Sequence, residues 1–225
     1  MTHPRTAPLS VCRYFTRSSL VLLLLTQVQT AWADFSTLVD PALRTCVTQL
    51  ASKHQWSVPA EVTSIKCHNA KIKNLAGIAS FTQLTSLSLY KNQLEEAHIP
   101  PLPHLTHLNL SGNQLSTLHL SDLPALTGCF VFKNKLHSLV LEGVPKLKKL
   151  KANNNQLTSL RFKNSPLLSK LYIFDNELEN VDMDTLPTLS YFDARHNPMP
   201  DDFYDYLDTL NSVTVLHDGN AEDWQ

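Results

Sequence analysis

The sequence predicts a repeat solenoid, in which short units stack side by side and each unit adds one strand to a parallel sheet. Leucines recur every 21 residues from Leu84 to Leu189, and prolines do so from Pro103 to Pro187. Asparagines keep the same step without slippage. They are Asn92, Asn113, Asn134, Asn155, Asn176 and Asn197. Because three residue types share one register, we expect stacked units and not a single globular core.

The apolar pattern inside each unit resembles a known family. The clearest unit reads LTHLNLSGNQL from Leu105 to Leu115. This is the Leu-x-x-Leu-x-Leu-x-x-Asn-x-Leu pattern of leucine-rich repeats, which residues 84–199 resemble closely. A degenerate first unit has Ala70 in place of asparagine. Its apolar positions are Val62, Ile65, Cys67 and Ile72. We therefore expect about seven repeats over residues 62–199.

The repeat pattern predicts which side chains are buried. Leucines at the first, fourth and sixth positions should point into a shared core, and the alternation around the sixth position should form the strand. The asparagine should turn the chain and satisfy backbone groups that would otherwise lack partners inside the coil. Since each unit exposes apolar surface on both sides, stacking is expected to fold the protein.

The second half of each unit also alternates, as in the segment LSTLHL from Leu115 to Leu120. A proline follows soon after, which favours a short extended segment over a helix. Units of this kind resemble those of internalin-like bacterial leucine-rich-repeat proteins, whose known members are mostly surface or secreted interaction proteins. The resemblance implies a curved right-handed superhelix with a parallel sheet on the concave face and extended segments on the convex face.

Both ends of the solenoid need caps, because terminal units would otherwise expose core to water. Residues 34–61 are predicted to be the N-terminal cap, with a helix that begins at Asp40 and Pro41 and ends near His54. Its apolar stripe is Leu43, Cys46, Val47, Leu50 and Ala51.

Residues 200–225 are predicted to be the C-terminal cap and tail, because the repeat breaks at Pro198 and Pro200. A helix is expected over residues 201–210, followed by a closing strand over 213–216. The expected inward residues of that helix are Phe203, Tyr206, Leu207 and Leu210.

Residues 1–33 have the pattern of a cleaved signal peptide. The segment is basic at Arg5, contains an apolar run from Leu20 to Leu25, and ends in small residues at Ala31 and Ala33. A membrane anchor is the alternative, but the run is much shorter than the roughly 20 residues that span a bilayer. We expect an exported chain, periplasmic or secreted, without a membrane span after cleavage.

Removal of this segment leaves 16 basic and 20 acidic residues, a net charge of −4. Such a chain lacks the basic surface that general nucleic-acid binding needs. Three cysteines remain, and an oxidising compartment allows one bridge. We expect a Cys46–Cys67 disulfide, with Cys129 as a buried free thiol. Three unpaired cysteines remain the alternative.

The sequence offers no catalytic constellation, since it lacks His-Glu-x-x-His, Gly-x-Ser-x-Gly and a phosphate-binding glycine loop. His104, His107 and His119 are close in sequence, but their repeat positions place them on different sides of the coil. We therefore expect neither a cofactor nor a metal site.

The solvent-facing side of the sheet is the expected binding surface. The third, fifth, seventh and eighth positions should be exposed there, Ser111 among them. Aromatic side chains and lysines gather in the later units, a composition typical of recognition surfaces. The candidate ligand-binding residues are Tyr90, Phe130, Phe132, Lys133, Lys149, Lys151, Lys170, Tyr172, Phe174, Tyr191 and Arg195. We expect the chain to be a monomer. A protein or peptide is the first expectation for its partner. Glycan binding and a structural or accessory role without a specific ligand are the alternatives. The alternative for the aromatic residues is that phenylalanine merely suits strands and stacks on its neighbours.

Overall fold

The computed structural model describes residues 34–219. The expected signal peptide and its cleavage point lie outside these residues, as does the end of the tail. A helix, α1, spans Pro41–His54 as the sequence predicted. The Asp40 carboxylate caps it, because one oxygen accepts hydrogen bonds from the first-turn backbone N–H groups at 2.9 Å. The other oxygen accepts from the backbone N–H groups of Lys73 and Asn74, which joins the cap to the first repeat.

Eleven strands follow within the described residues. They are β1 (Ser64–Lys66), β2 (Ser86–Ser88), β3 (His107–Asn109), β4 (Thr117–Ser121), β5 (Gly128–Phe130), β6 (Ser138–Glu142), β7 (Lys149–Lys151), β8 (Ser159–Lys163), β9 (Lys170–Tyr172), β10 (Tyr191–Asp193) and β11 (Thr214–Leu216). Eight form one parallel sheet in the order β1-β2-β3-β5-β7-β9-β10-β11. The predicted leucine-rich-repeat solenoid is thus confirmed.

The register of the large sheet repeats the sequence period. Leu108 lies opposite Cys129, which lies opposite Leu150, and so on through Leu171 to Phe192. All five side chains are fully buried. The strand covers the third to fifth positions of each unit, so our expectation that it lies around the sixth position was wrong. Beyond the strand, the eighth position adopts a left-handed backbone in every turn. These residues are Asn69, Lys91, Gly112, Lys133, Asn154, Asp175, His196 and Gly219.

The repeated asparagines bond backbone groups of their own turn and of the preceding one, as Asn113 illustrates. Its side-chain oxygen accepts from the Leu94 N–H at 3.1 Å. Its amide nitrogen donates to the carbonyl of Leu110 at 2.8 Å and, one turn back, to that of Leu89 at 3.0 Å. The Leu110 carbonyl also accepts from Asn134 of the next turn at 3.1 Å. Neighbouring asparagines therefore share a carbonyl, and the six of them connect the turns into a ladder.

The convex side is extended, as expected. Strands β4, β6 and β8 form a second parallel sheet on this side. The next turn instead forms a short 3-10 helix over Met183–Thr185. Two further 3-10 turns, Pro59–Glu61 and Ile78–Ser80, lie near the N-terminal cap.

The C-terminal helix, α2, spans Asp201–Asp208, and β11 then closes the sheet beside β10. Our expectation that Tyr206 points inward was wrong, because its side chain is 41% exposed. Tyr204 is buried in its place and its hydroxyl donates to the Asn197 carbonyl at 2.8 Å. Tyr204 and Tyr206 lie on opposite sides of the helix, and the buried carbonyl favours the tyrosine that can bond it. Since α2 ends at Asp208, Leu210 lies beyond the helix and is only partly buried.

The cysteines pair as expected. Cys46 of α1 and Cys67 after β1 form a disulfide with a Cα–Cα distance of 6.0 Å. Cys129 is a buried free thiol, and burial raises its pKa to about 12. None of the helices in residues 34–219 combines the length and the apolar character needed to cross a membrane.

Candidate binding face

The outward side of the eight-stranded sheet, with the turns that follow its strands, is called the concave face here. Every aromatic candidate on it is partly exposed, and the side chains at the fourth position fill the core behind. The aromatic residues are therefore held by the sheet without being part of its core. The structure arranges them in two groups.

The first group lies over the central strands. The rings of Tyr90 and Phe132 are separated by two turns of the solenoid, yet their centroids are only 6.3 Å apart. Two strand spacings would place them about 9.6 Å apart, so the rings lean toward each other over the intervening turn. Ser111 lies in that turn and is fully buried, with no hydrogen-bond partner for its hydroxyl. Our expectation that Ser111 is exposed was therefore wrong.

Phe130 lies in β5, two residues before Phe132 of this group. A Cβ atom built on Gly128 would come within 3.2 Å of the Phe130 ring, so the ring lies over the glycine of its own strand. A side chain at position 128 would therefore require the Phe130 ring to shift slightly. Phe130 is partly exposed, so part of its ring faces solvent.

The second group surrounds Tyr172. Its ring lies 5.0 Å from that of Tyr191, measured between centroids. The ammonium groups of Lys149 and Lys151 lie 5.3 and 4.7 Å from the centre of the Tyr172 ring, within range of cation–π attraction. Partial burial raises the pKa of Tyr191, with a further contribution from the nearby Asp193. Lys170 is exposed in β9, the strand that also carries Tyr172 and that lies between β7 and β10.

Phe174 and Arg195 form the edge of the second group. The Arg195 guanidinium lies 5.8 Å from the centre of the Phe174 ring and donates two hydrogen bonds to Asp193, at 2.9 and 2.8 Å. This pairing raises the pKa of Arg195. Asp193 is only 2% exposed, so the expectation that it faces solvent was wrong. Asn153 was also expected to be exposed and is buried at the seventh position, where its amide donates to the Asn154 side chain.

Lys133 stands apart from both groups. It is exposed at the left-handed eighth position after β5, with φ of 55°. Its backbone N–H donates to the Asn153 carbonyl, so the peptide is fixed while the side chain extends to solvent. The structure therefore brings together ten of the eleven candidates in the two groups and at Phe130, and leaves Lys133 at the border between them.

Sequence reasoning missed a shallow depression of about 390 Å³ in the polar half of the concave face. The small residues Ser86 and Ser88 line it, together with Phe130. His68 also lines it, and its Nε2 lies 2.7 Å from the Ser88 hydroxyl. Partial burial and then the charge of Lys66 lower the pKa of His68. Two small serines in one strand were visible in the sequence as a sign of this depression. Another lining residue, Phe130, lies two strands away and could not be assigned to it from the sequence.

The histidines do not converge. His107 lies in β3 of the large sheet, whereas His119 lies in β4 of the convex sheet. Across residues 34–219, no three His, Cys, Asp or Glu side chains are grouped so that they could hold a metal ion.

Comparison with known proteins agrees with this architecture. The family model described as Leucine Rich Repeat matches residues 104–126. A search of curated protein sequences found no match. Among solved structures, internalin C2 from Listeria monocytogenes aligns with a TM-score of 0.53 at 20% identity, over 82% of this chain and 96% of that one.

Two further internalins from Listeria monocytogenes, both with longer chains than this protein, also align with it. Internalin F aligns with a TM-score of 0.41 at 16% identity, over 84% of this chain and 78% of that one. The functional domain of InlJ aligns with a TM-score of 0.38 at 22% identity, over 74% of this chain and 53% of that one. The protein is a leucine-rich-repeat solenoid. Within that class its fold is internalin-like, as the similarity to internalin C2 shows.

Proposed function

We propose that this protein is a non-catalytic exported binding protein that recognises a protein or peptide through its concave face. The observation that carries the proposal is the pair of partly exposed aromatic groups on a sheet whose core is filled by other residues. Aromatic side chains with neighbouring cations are enriched among the residues that contribute most to protein interfaces. The aromatic candidates therefore have the composition of an interface centre.

The rigidity of the sheet also supports recognition of a partner by the concave face. Hydrogen bonds join every pair of neighbouring strands, and the asparagine ladder connects the turns behind them. A partner would therefore meet side chains that are already in place. Binding to such a surface loses less conformational entropy than binding to a mobile loop.

Export is supported by two features of the chain. The Cys46–Cys67 disulfide is of a kind that persists in oxidising compartments and is rare in the cytosol. Residues 1–33 have the charge and hydropathy pattern of a cleaved leader. We accordingly propose a periplasmic or secreted protein.

Glycan recognition is the second candidate, and the depression beside Phe130 favours it. An exposed aromatic face next to hydroxyl, imidazole and amide groups is a combination that stacks on a sugar ring and bonds its hydroxyls. This surface is distinct from the group around Tyr172, so the two candidates can be separated by substitution.

The test replaces Phe132 and Phe174 together by serine. Loss of each aromatic anchor commonly costs about 2 kcal/mol, so the pair should weaken partner binding by several hundredfold or more. Binding is measured by calorimetry with a partner that the wild-type protein captures from envelope or host extracts and that is then purified. Circular dichroism and thermal melting should stay close to wild type, because the core lies behind these side chains.

The matched control is Ser86→Ala with Ser88→Ala, which changes two side chains of β2 without removing aromatic surface. Unchanged binding by the serine-substituted aromatic pair would refute recognition at these residues. Unfolding of that pair would show that the two phenylalanines belong to the core. Loss of binding in the β2 control would transfer recognition to the depression, which a glycan array would then probe.

A further inference from the structure

Basic and acidic residues are segregated along the solenoid, which the small net charge of the chain conceals. Residues 133–170 contain nine lysines and arginines and a single acidic residue, Glu142. Residues 175–208 contain ten acidic residues and a single arginine, Arg195. Because successive turns stack in sequence order, these segments form a basic band followed directly by an acidic band.

Three lysines of the basic band converge on the concave face. Lys149 of β7 lies directly opposite Lys170 of β9, and Lys151 lies opposite Tyr172. Neighbouring strands are about 4.8 Å apart, and alternate residues of one strand about 6.6–6.8 Å. The ammonium groups of Lys149 and Lys151 lie against the Tyr172 ring, and Lys170 precedes that tyrosine by two residues on the same strand, so the three lysines lie within one small patch.

These lysines have no carboxylate partner among residues 34–219. The ion pairs that lysine and arginine form there join Lys163 to Glu142 and Arg195 to Asp193. Like charges placed directly opposite each other on neighbouring strands repel and destabilise a sheet. An anion bound between Lys149 and Lys170 would remove that repulsion, so the patch favours a negatively charged ligand.

We propose that the partner presents a short acidic segment of polypeptide to this patch. Its carboxylates bind Lys149, Lys151 and Lys170, and an apolar side chain beside them packs on Tyr172 and Tyr191. This inference rests on the proposed function, because it names the chemistry of the partner at the same face.

Two features favour a short peptide over an extended polyanion. Same-face side chains of an extended peptide repeat at about 6.6–6.8 Å, which equals the separation of Lys149 and Lys151 along their strand. The patch also ends with β9, because the next strand, β10, carries Tyr191 and the buried Asp193, which is paired with Arg195. A long polyanion that continued over β10 would meet no further lysine there, whereas a short acidic segment needs only the three lysines.

The experiment titrates the whole exported chain with fluorescein-labelled hexaglutamate, hexaglutamine and an oligogalacturonate of similar length. Wild-type protein should bind hexaglutamate, with an affinity that falls as salt is raised, and should not bind hexaglutamine. Lys149→Glu with Lys170→Glu should weaken hexaglutamate binding about tenfold or more. The control, Lys135→Glu with Lys146→Glu, makes the same change in charge on exposed residues of the same band outside the strands, and should weaken it by less than about threefold.

Equal losses in the two charge-reversed proteins would overturn the proposal, because the effect would then be that of net charge. Absent binding of hexaglutamate, or tighter binding of oligogalacturonate, would also overturn it. If the reversed pair melts at a lower temperature than wild type, Lys149→Gln with Lys170→Gln is measured in its place. If the purified partner binds the lysine variant but not the aromatic variant, the acidic segment is refuted and recognition by the concave face stands. If the partner binds both variants, recognition by the concave face is refuted as well.

Discussion

The asparagine ladder predicts a specific coupling between neighbouring repeats. Asn113→Ala leaves the Leu94 N–H without a partner, since its hydrogen bond is to the Asn113 side chain. The carbonyls of Leu89 and Leu110 lose one bond each but keep a second, from Asn92 and Asn134. One orphaned buried donor costs about 1–3 kcal/mol and each of the two lost bonds about 0.5–1.5 kcal/mol, so the free energy of unfolding should fall by about 2–6 kcal/mol.

The double variant Asn113→Ala with Asn134→Ala should cost more than the two single changes added together. Both asparagines donate to the Leu110 carbonyl, so this group keeps a partner in each single variant and loses both in the double one. An unsatisfied buried carbonyl adds a coupling of about 1–2 kcal/mol. The pair Asn113→Ala with Asn176→Ala is the control, because Asn176 bonds Leu157 and other groups that Asn113 does not contact.

The assay is urea denaturation of the wild type, the three single variants and the two double variants, followed by circular dichroism. A stabilising osmolyte keeps the weakest variant folded and is present throughout. The control pair should be additive within about 0.5 kcal/mol. Additive free energies in the neighbouring pair as well would refute the shared carbonyl as an energetic link between repeats.

Two further predictions concern the ends of the solenoid. Cys46→Ser with Cys67→Ser should lower the free energy of unfolding by about 3 kcal/mol, because the disulfide closes a loop of 21 residues; an unchanged denaturation midpoint would contradict this. His196 forms a hydrogen bond of 2.6 Å with Asp175, which raises the pKa of the histidine, and Asp218 adds to the effect. The contribution of His196 to stability should therefore be complete below its ordinary pKa, near 6.5, and disappear as the pH rises through the higher folded value. Nuclear magnetic resonance titration should show the raised pKa of His196. His196→Asn should remove this part of the pH dependence of the melting temperature. A His196 pKa at its ordinary value would contradict the prediction.

The sequence alone determined the architecture of this protein. A period of 21 residues in leucine, proline and asparagine can be satisfied only if each unit repeats the geometry of its neighbour. The parallel register follows directly from that period, and the caps follow from the helix-start signal at Asp40 and the breaks at Pro198 and Pro200. The disulfide was predictable because Cys46 lies on a helix that must cover the first strand, where Cys67 is located.

Exposure on the concave face was decided by tertiary structure. Repeat position assigns a side chain to one side of the sheet, but its exposure depends on the residues one and two turns away. Ser111 is buried because Tyr90 and Phe132 lean together above it. Asp193 is buried because Arg195 folds back onto it.

The grouping of the candidate residues has the same cause. The sequence showed aromatic residues and lysines in the later units, which was sufficient to predict a binding face. Only the strand pairing places Lys149 opposite Lys170, and only the side-chain packing turns Lys149 and Lys151 toward Tyr172. Positions in a repeat are local and can be read from the period, whereas contacts between turns depend on the sizes and charges of side chains that are 21 or 42 residues apart in the chain.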